Sequence, residues 1–291
     1  MKEIKSDVGV IVIGNNYVGS SFANANYVTE VWDQDKLIEN PEWINLFSDV
    51  SVIINCVDNK EIDIRKNWKD NYELVYNLND HCKKYGIKLV HISTADLYGN
   101  IWDWASTEES VCNNFDTNND YRLSKRVAER ILANNDNCII MRIKNPFDGR
   151  VHMDNALIHP LYEEKLYCWQ NAYTYLPDFV KFLGILLEKN ETGIFNMVQI
   201  RICSIQYFYT QLLTLPRYVH IDGHELNNPL LINETSVDRI HGDVHSLKIQ
   251  QHGITTDLDA AVLISWANIA KTLDSNLYNG NIPYGTFPST P

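Results

Sequence analysis

Residues 8 to 20 read "VGVIVIGNNYVGS". A continuous β-branched run bounded by Gly is the pattern of a strand buried on both faces of a parallel sheet. Gly14 and Gly19 then bracket "NNYV", so the run ends in a turn that opens a short helix over "NNYVGSSFANA". Such a turn suits a pyrophosphate, because free N–H groups at a helix start favour negative charge and glycines let the backbone approach. One glycine of the usual three is missing. Asn16 stands near the middle one, and Asn is the non-Gly residue that best tolerates a left-handed backbone. A plain strand-to-helix connection reads equally well from this turn alone.

Outward from that stretch the same alternation continues. Apolar runs recur at 50–57, 87–94, 137–143 and 193–198, with helical patterns between them at 71–86, 120–135 and 176–190. Strand and helix in alternation predict an α/β fold, a Rossmann-type doubly wound parallel sheet. Beyond residue 200 the pattern loosens around Pro216 and Pro229, and a last helix is expected over 256–273. The predicted organisation is a dinucleotide-binding domain at 1–150, completed by about 172–200, with a smaller C-terminal substrate-binding lobe made of 151–171 and 201–291.

Composition narrows the function classes. The 291 residues are 45% hydrophobic and 21% charged, as in an ordinary globular chain. A formal net charge of -12 argues against nucleic acid or an anionic membrane as partner. Six cysteines without metal-like spacing read as reduced thiols, and the short apolar start is neither signal peptide nor spanning helix, so a cytoplasmic setting is expected. No metal site is expected: the two His of "HGDVH" (241–245) lack a third ligand.

Two further motifs carry chemistry. In "YRLSK", Tyr121 and Lys125 are four apart near a helix start and project from one face. A phenol, with a pKa of about 10, is brought nearer to working range by an adjacent ammonium. A surface Tyr–Lys pair is the bland alternative. The strand "HISTADLYG" ends with Thr94, and if it stays extended Asp96 shares its face while Ser93 and Ala95 take the other. Ligands of doubly wound sheets bind outside the carboxyl ends of strands, where these groups can converge.

The glycine turn, "HISTADLYG", "YRLSK" and "MRIKNPFDG", in this order, resemble the extended short-chain dehydrogenase/reductase family, in its nucleotide-sugar branch. Within it, the 4-dehydrorhamnose reductases and the bifunctional 3,5-epimerase/4-reductases are most similar in length and in "YTYLPDFVKFLGILLEKNETGIFNMV". The resemblance implies an NAD(P)-dependent reductase of a UDP- or dTDP-linked 4-keto-6-deoxy hexose, with 3,5-epimerisation as a further option. It implies a Thr94, Tyr121, Lys125 triad: Tyr121 exchanges the proton, Lys125 holds the nicotinamide ribose, and Thr94 binds the sugar oxygen. Gly14, Asn16, Tyr17, Val18, Gly19, Asn55, Cys56 and Val57 would line the cofactor, with Asn71 a further match. Asp33 would meet the adenosine ribose, and Asp35 and Lys36 leave NAD and NADP both open.

Dehydratases of the family carry an acid and a base after the Thr, and "STAD" replaces the acid by Ala95, which ranks dehydration below reduction. Asp96 falls where the bifunctional enzymes place a proton-moving Cys. His159, in "NALIHPLY", lies near the family's partner on the other sugar face; a structural His is the alternative. Asn145 matches the family Asn at the substrate diphosphate. Arg150 and Arg239 are chosen as further anion partners, with Arg201 and Lys248 also considered. A homodimer is expected by resemblance. The competing readings are a non-catalytic dinucleotide-binding regulatory subunit and a 4-epimerase or 4,6-dehydratase.

Overall fold

The structure, a computed structural model, describes residues 9–34, 50–60, 63–98, 106–112, 119–158, 165–168, 170–213, 230–232, 244–251 and 256–278. Six strands form the central sheet: β1 (Gly9–Ile13), β2 (Glu30–Trp32), β3 (Val50–Asn55), β4 (Lys88–Thr94), β5 (Cys138–Ile143) and β6 (Gly193–Met197). All their pairings are parallel, in the order β6-β5-β4-β3-β1-β2. The five predicted runs are strands, trimmed at their ends.

Successive strand side chains point to opposite faces, so a sheet covered twice needs two apolar sets in each strand. Val10 and Val12 of β1, Val52 and Ile54 of β3, Val90 and Ile92 of β4 and Ile139 and Met141 of β5 share one core. Ile11, Ile13, Ile53, Leu89, Cys138 and Ile140 make the other. Helix α4 (Leu176–Glu188) closes the first face with Leu176, Phe179, Phe182, Leu183 and Leu186. Two helices close the second: α2 (Leu74–Tyr85), with Leu74, Val75 and Leu78, and α3 (Asp120–Leu132), with Ala128 and Leu132. The doubly wound sheet is thus present, with its first core residues in the stretch at 8–14.

Between the strands, three helices begin or end on local chemistry. α1 (Ile64–Trp68) starts on Asp63, whose carboxylate accepts from the Arg65 and Lys66 amides. It runs through a π-helical turn, Lys69–Glu73, into α2, which stops at Gly86 in a left-handed conformation. Asn119 caps α3 through the Arg122 amide.

A buried ion pair anchors the sheet behind α3. The Glu129 carboxylate accepts from Arg142 Nε and Nη2 and from Ser93 Oγ, at 3.0, 2.5 and 2.6 Å. Arg142 Nη1 donates to the Tyr98 hydroxyl, which donates in turn to Asn196 Oδ1. Because every charged atom has a partner, the pair holds β4, β5, β6 and α3 in one register.

A separate apolar cluster gathers Phe147, Leu157, Tyr173, Tyr175, Phe208, Val262 and Trp266. It draws on α5 (Ile205–Leu213) and α7 (Leu258–Tyr278), with α6 (Leu247–Gln251) between them in sequence. The short α5 and α6 were not legible in the loosened pattern after residue 200. No helix among the described residues is long and apolar enough to cross a membrane.

The expected first helix is the main departure. After the glycine turn the chain makes a single 3-10 turn, Gly19–Phe22, and then irregular structure. Asn, Ser and Gly dominate this stretch, and their side chains and freedom favour turns over a propagated helix.

Candidate active site

The strand order reverses between β1 and β3, and the site is built at their carboxyl ends. Gly14 has φ +100°, and a Cβ there would lie 2.9 Å from the Cys56 carbonyl carbon and the Val57 nitrogen. A side chain on Gly19 would overlap the Gly14 carbonyl oxygen. Gly14 is therefore required by the turn's closeness to the chain leaving β3, and Gly19 by the closure of the turn on itself. Asn16 fastens that contact: its Nδ2 donates to the Cys56 carbonyl at 2.6 Å and its Oδ1 accepts from the Gly19 amide at 2.9 Å. Asn55 is spent internally, accepting from the Val57 amide at 3.1 Å and pairing with His91 Nδ1 at 3.3 Å. Cys56 is buried, and burial pushes its thiol pKa well up.

Tyr17 follows Asn16 inside the turn. Its ring is buried, its hydroxyl donates to Asp148 Oδ1 at 2.9 Å, and the Arg150 guanidinium covers it at 4.5 Å. Arg150 also donates to the Tyr17 carbonyl and to Ser20 Oγ, at 2.8 and 2.7 Å, while Asp148 holds its Nε at 2.6 Å. Arg150, chosen from sequence for the substrate, is bonded to the glycine turn. Val18 is half-buried and Asp33 is exposed directly after β2, whose Trp32 carbonyl accepts from the Gly14 amide.

At the ends of β3 and β4 the predicted trio comes together. Thr94 and Asp58 both act on the ionisation of the Tyr121 hydroxyl, Thr94 favouring it and Asp58 opposing it. Lys125 Nζ lies 5.9 Å from the Tyr121 ring centre, 2.9 Å from Asp58 Oδ1 and 3.2 Å from the Val57 carbonyl. Asn71, placed by the π-helical turn, links the Asn59 backbone to Ser124 Oγ next to Lys125. Burial first, then the Asp58 and Asp96 charges, push the Tyr121 pKa well above the ordinary phenol value. Asp58 goes the other way. Burial opposes its ionisation, but Lys125 and Lys60 outweigh it and hold the carboxyl at about 2.

Asp96 is not carried there by an extended strand. β4 stops at Thr94, and Ala95–Leu97 turn into a 3-10 helix capped by Thr94 Oγ1, which accepts from the Asp96 amide at 3.1 Å. The turn still brings the Asp96 carboxylate within 3.2 Å of Thr94 Oγ1, and Lys144 pairs with it from beyond β5. Despite burial, that ammonium keeps the Asp96 pKa below the usual carboxylate range. Ala95 faces inward, against Tyr98, Ala172, Val198 and Val244.

Asn145 sits after β5 with φ 42°, its side-chain amide donating to the Ala172 carbonyl at 3.1 Å. His159, Arg239, Asp35, Lys36 and the first His of "HGDVH" lie outside the described residues. Of the two other basic residues considered, Arg201 pairs with Asp259 and Lys248 donates to the Ile194 carbonyl. Asp58, Lys60 and Lys144 were missed from sequence. The available signal was position: Lys144 follows directly on β5 in "MRIK", and Asp58 and Lys60 lie in the loop that leaves β3 in "NCVDNK".

A dinucleotide fits this arrangement at its nicotinamide end. Lys125 has three N–H donors, and the two partners above leave one for a ribose hydroxyl. At the pyrophosphate end, one 3-10 turn supplies little helix dipole, and the Arg150 guanidinium beside it is paired with Asp148.

The reversed parallel order, with a glycine turn at the reversal, defines a doubly wound nucleotide-binding protein. The model of the NAD dependent epimerase/dehydratase family matches residues 4–197, and the chain belongs to that family. Three solved structures illustrate the likeness of fold. A dTDP-4-dehydrorhamnose reductase from Clostridium acetobutylicum is 18% identical with a TM-score of 0.71, covering 91% of this chain and 100% of its own. The L780 UDP-rhamnose synthase of Acanthamoeba polyphaga mimivirus is 14% identical with a TM-score of 0.72, over 90% of this chain and 99% of its own. A dTDP-glucose 4,6-dehydratase from Bacillus anthracis in complex with NAD is 15% identical with a TM-score of 0.71, over 91% and 97%. Among curated protein sequences there is no match.

Proposed function

We propose that the protein is an NAD(P)-dependent reductase of a UDP- or dTDP-linked 4-keto-6-deoxy hexose. The observation that carries this reading is the meeting of Tyr121 and Lys125 with the end of β4: Thr94 acts on the Tyr121 hydroxyl and Lys125 Nζ lies 5.9 Å from the ring centre. In this reading bound NAD(P)H supplies hydride to the ketone carbon. Tyr121 gives its proton to the ketone oxygen, Thr94 orients that oxygen, and Lys125 holds the ribose through its remaining donor. Arg150 faces the cofactor pyrophosphate and Asp33 the adenosine ribose, while Asn145 and Arg239 serve the substrate diphosphate.

Reduction needs one proton donor, whereas dehydration needs an acid and a base at the sugar. Ala95 supports the former: it has no proton to give, and it packs in an apolar cluster. The likeness of fold does not separate the two, since reductase and dehydratase have the same TM-score. A 3,5-epimerase step is a second reading, favoured by the Asp96–Lys144 pair beside Thr94, with His159 as the partner on the other face. The regulatory-subunit reading draws on the incomplete glycine turn. All six cysteines are free, which supports a reducing, cytoplasmic setting. Homodimer formation stays with this proposal and is read by light scattering.

The test is NAD(P)H oxidation with a panel of UDP- and dTDP-4-keto-6-deoxy sugars. Turnover should fall about 10²- to 10⁴-fold in Tyr121→Phe. Equal turnover in that variant, or none in wild type across the panel, overturns the reading.

A further inference from the structure

We propose that the Lys144 ammonium and the Asp96 carboxylate together hold the sugar hydroxyl on the carbon next to the ketone, and so select hexoses in which that hydroxyl is free. The inference rests on the proposed ketone reduction and names the part of the substrate, O3, that the site reads.

Two neighbouring strands build the pair. β4 and β5 run parallel with Thr94 opposite Ile143, so Lys144 is the first residue beyond β5, beside the point where β4 turns into the 3-10 helix Ala95–Leu97. The backbone at Lys144 is fixed on both sides. Its amide donates to Oγ1 of the buried Thr174 at 3.0 Å, and Asn145 after it is tied to the Ala172 carbonyl. The side chain crosses to the end of β4, where Nζ donates to Asp96 Oδ1. Asp96 Oδ2 accepts from Thr94 Oγ1 at 3.2 Å, and the Asp96 amide donates back to that hydroxyl at 3.1 Å. Groups locked in this way meet a ligand without rearranging.

What the pair can hold follows from its donors and acceptors. An ammonium has three N–H donors and a carboxylate about four lone-pair sites, so one shared bond leaves capacity on both. Nor is the pair sealed off: the Lys144 side chain is 14% exposed and that of Asp96 35%. A donor and an acceptor side by side suit a hydroxyl, which accepts from one and donates to the other.

Thr94 decides which hydroxyl. In the proposed reduction Thr94 meets the ketone oxygen at C4, so a group bonded by Asp96 and Lys144 sits on a carbon adjoining C4. In a 6-deoxy hexose C5 bears the ring oxygen and a methyl group, neither of which can donate, whereas C3 bears a hydroxyl. A staple that merely joins the ends of β4 and β5 would make no distinction among sugars.

The test is calorimetric titration of the whole protein loaded with NAD(P)H, which cannot reduce a 4-hydroxy sugar, using UDP- and dTDP-6-deoxyglucose and the 3-deoxy analogue of each. Wild type should bind the 3-hydroxy sugar at least about tenfold more tightly than its 3-deoxy analogue, the effect of a hydrogen bond to a charged group. Lys144→Met should bring the two within about twofold, and Lys144→Arg, which keeps a cationic donor, should restore most of the difference. A lower melting temperature in Lys144→Met with the sugar preference intact is the result of a staple alone, and overturns the proposal. Equal binding of the two sugars by wild type, a comparison that needs no variant, also overturns it and leaves the reductase reading standing. Failure of wild type to bind either sugar on either nucleotide overturns both.

Discussion

His91 shows how a single buried side chain makes stability depend on pH. It lies inside β4 with no solvent exposure, and burial, aided by the Lys125 charge, lowers its pKa to about 3. In the unfolded chain an imidazole titrates at about 6.5, so between these values the unfolded state binds the extra proton. Stability contributed by neutral His91 is therefore full above about pH 6.5 and is lost as pH falls towards 3. The slope can reach about 1.4 kcal/mol per pH unit. Urea unfolding across this window should show a shallower pH slope in His91→Gln; identical slopes would remove His91 as the cause. Nothing in "KLVHIST" marks this histidine as different from its apolar neighbours. Its burial follows from β4 lying between β3 and β5, a tertiary fact.

Among the elements, α3 carries both Tyr121 and Lys125, so its first turn sets their spacing. Asn119 accepts the Arg122 amide there at 3.0 Å. Asn119→Ala should cost about 1 kcal/mol of unfolding free energy, and Asn119→Asp should restore it. Thermal melts of the three proteins check this, and equal melting temperatures would remove the cap from the account. Strands were legible because β-branched runs between glycines have few other readings, and α2, α3 and α4 because their apolar periods are long. The π-helical turn was not. It is stabilised by Asn71 reaching Asn59 and Ser124, partners 12 and 53 residues away. The Tyr–Lys pair and Thr94 were legible as an ordered set. Asp58 was not, because its meaning depends on which side chains meet a strand end.

At the scale of the molecule, the charge distribution opposes the composition. The chain carries -12 overall, yet around the site Lys60, Lys125 and Lys144 outnumber their partners Asp58 and Asp96 by three to two. Long-range repulsion and local attraction then act together on an anionic substrate, and both are screened by salt. Lys60→Met should raise the KM for the nucleotide sugar severalfold at about 0.02 M ionic strength and less at about 0.3 M. The same KM in both proteins at low salt would deny Lys60 this role.

The seat of Tyr17 has an evolutionary consequence. Tyr17→Gly alone would leave a ring-sized hole, remove a bond from Asp148 and uncover the face of Arg150. Replacing any one of the three side chains alone leaves the other two short of a partner. Drift at 17, 148 and 150 is therefore mutually contingent, and descendants of this sequence should keep or lose these three side chains as a set.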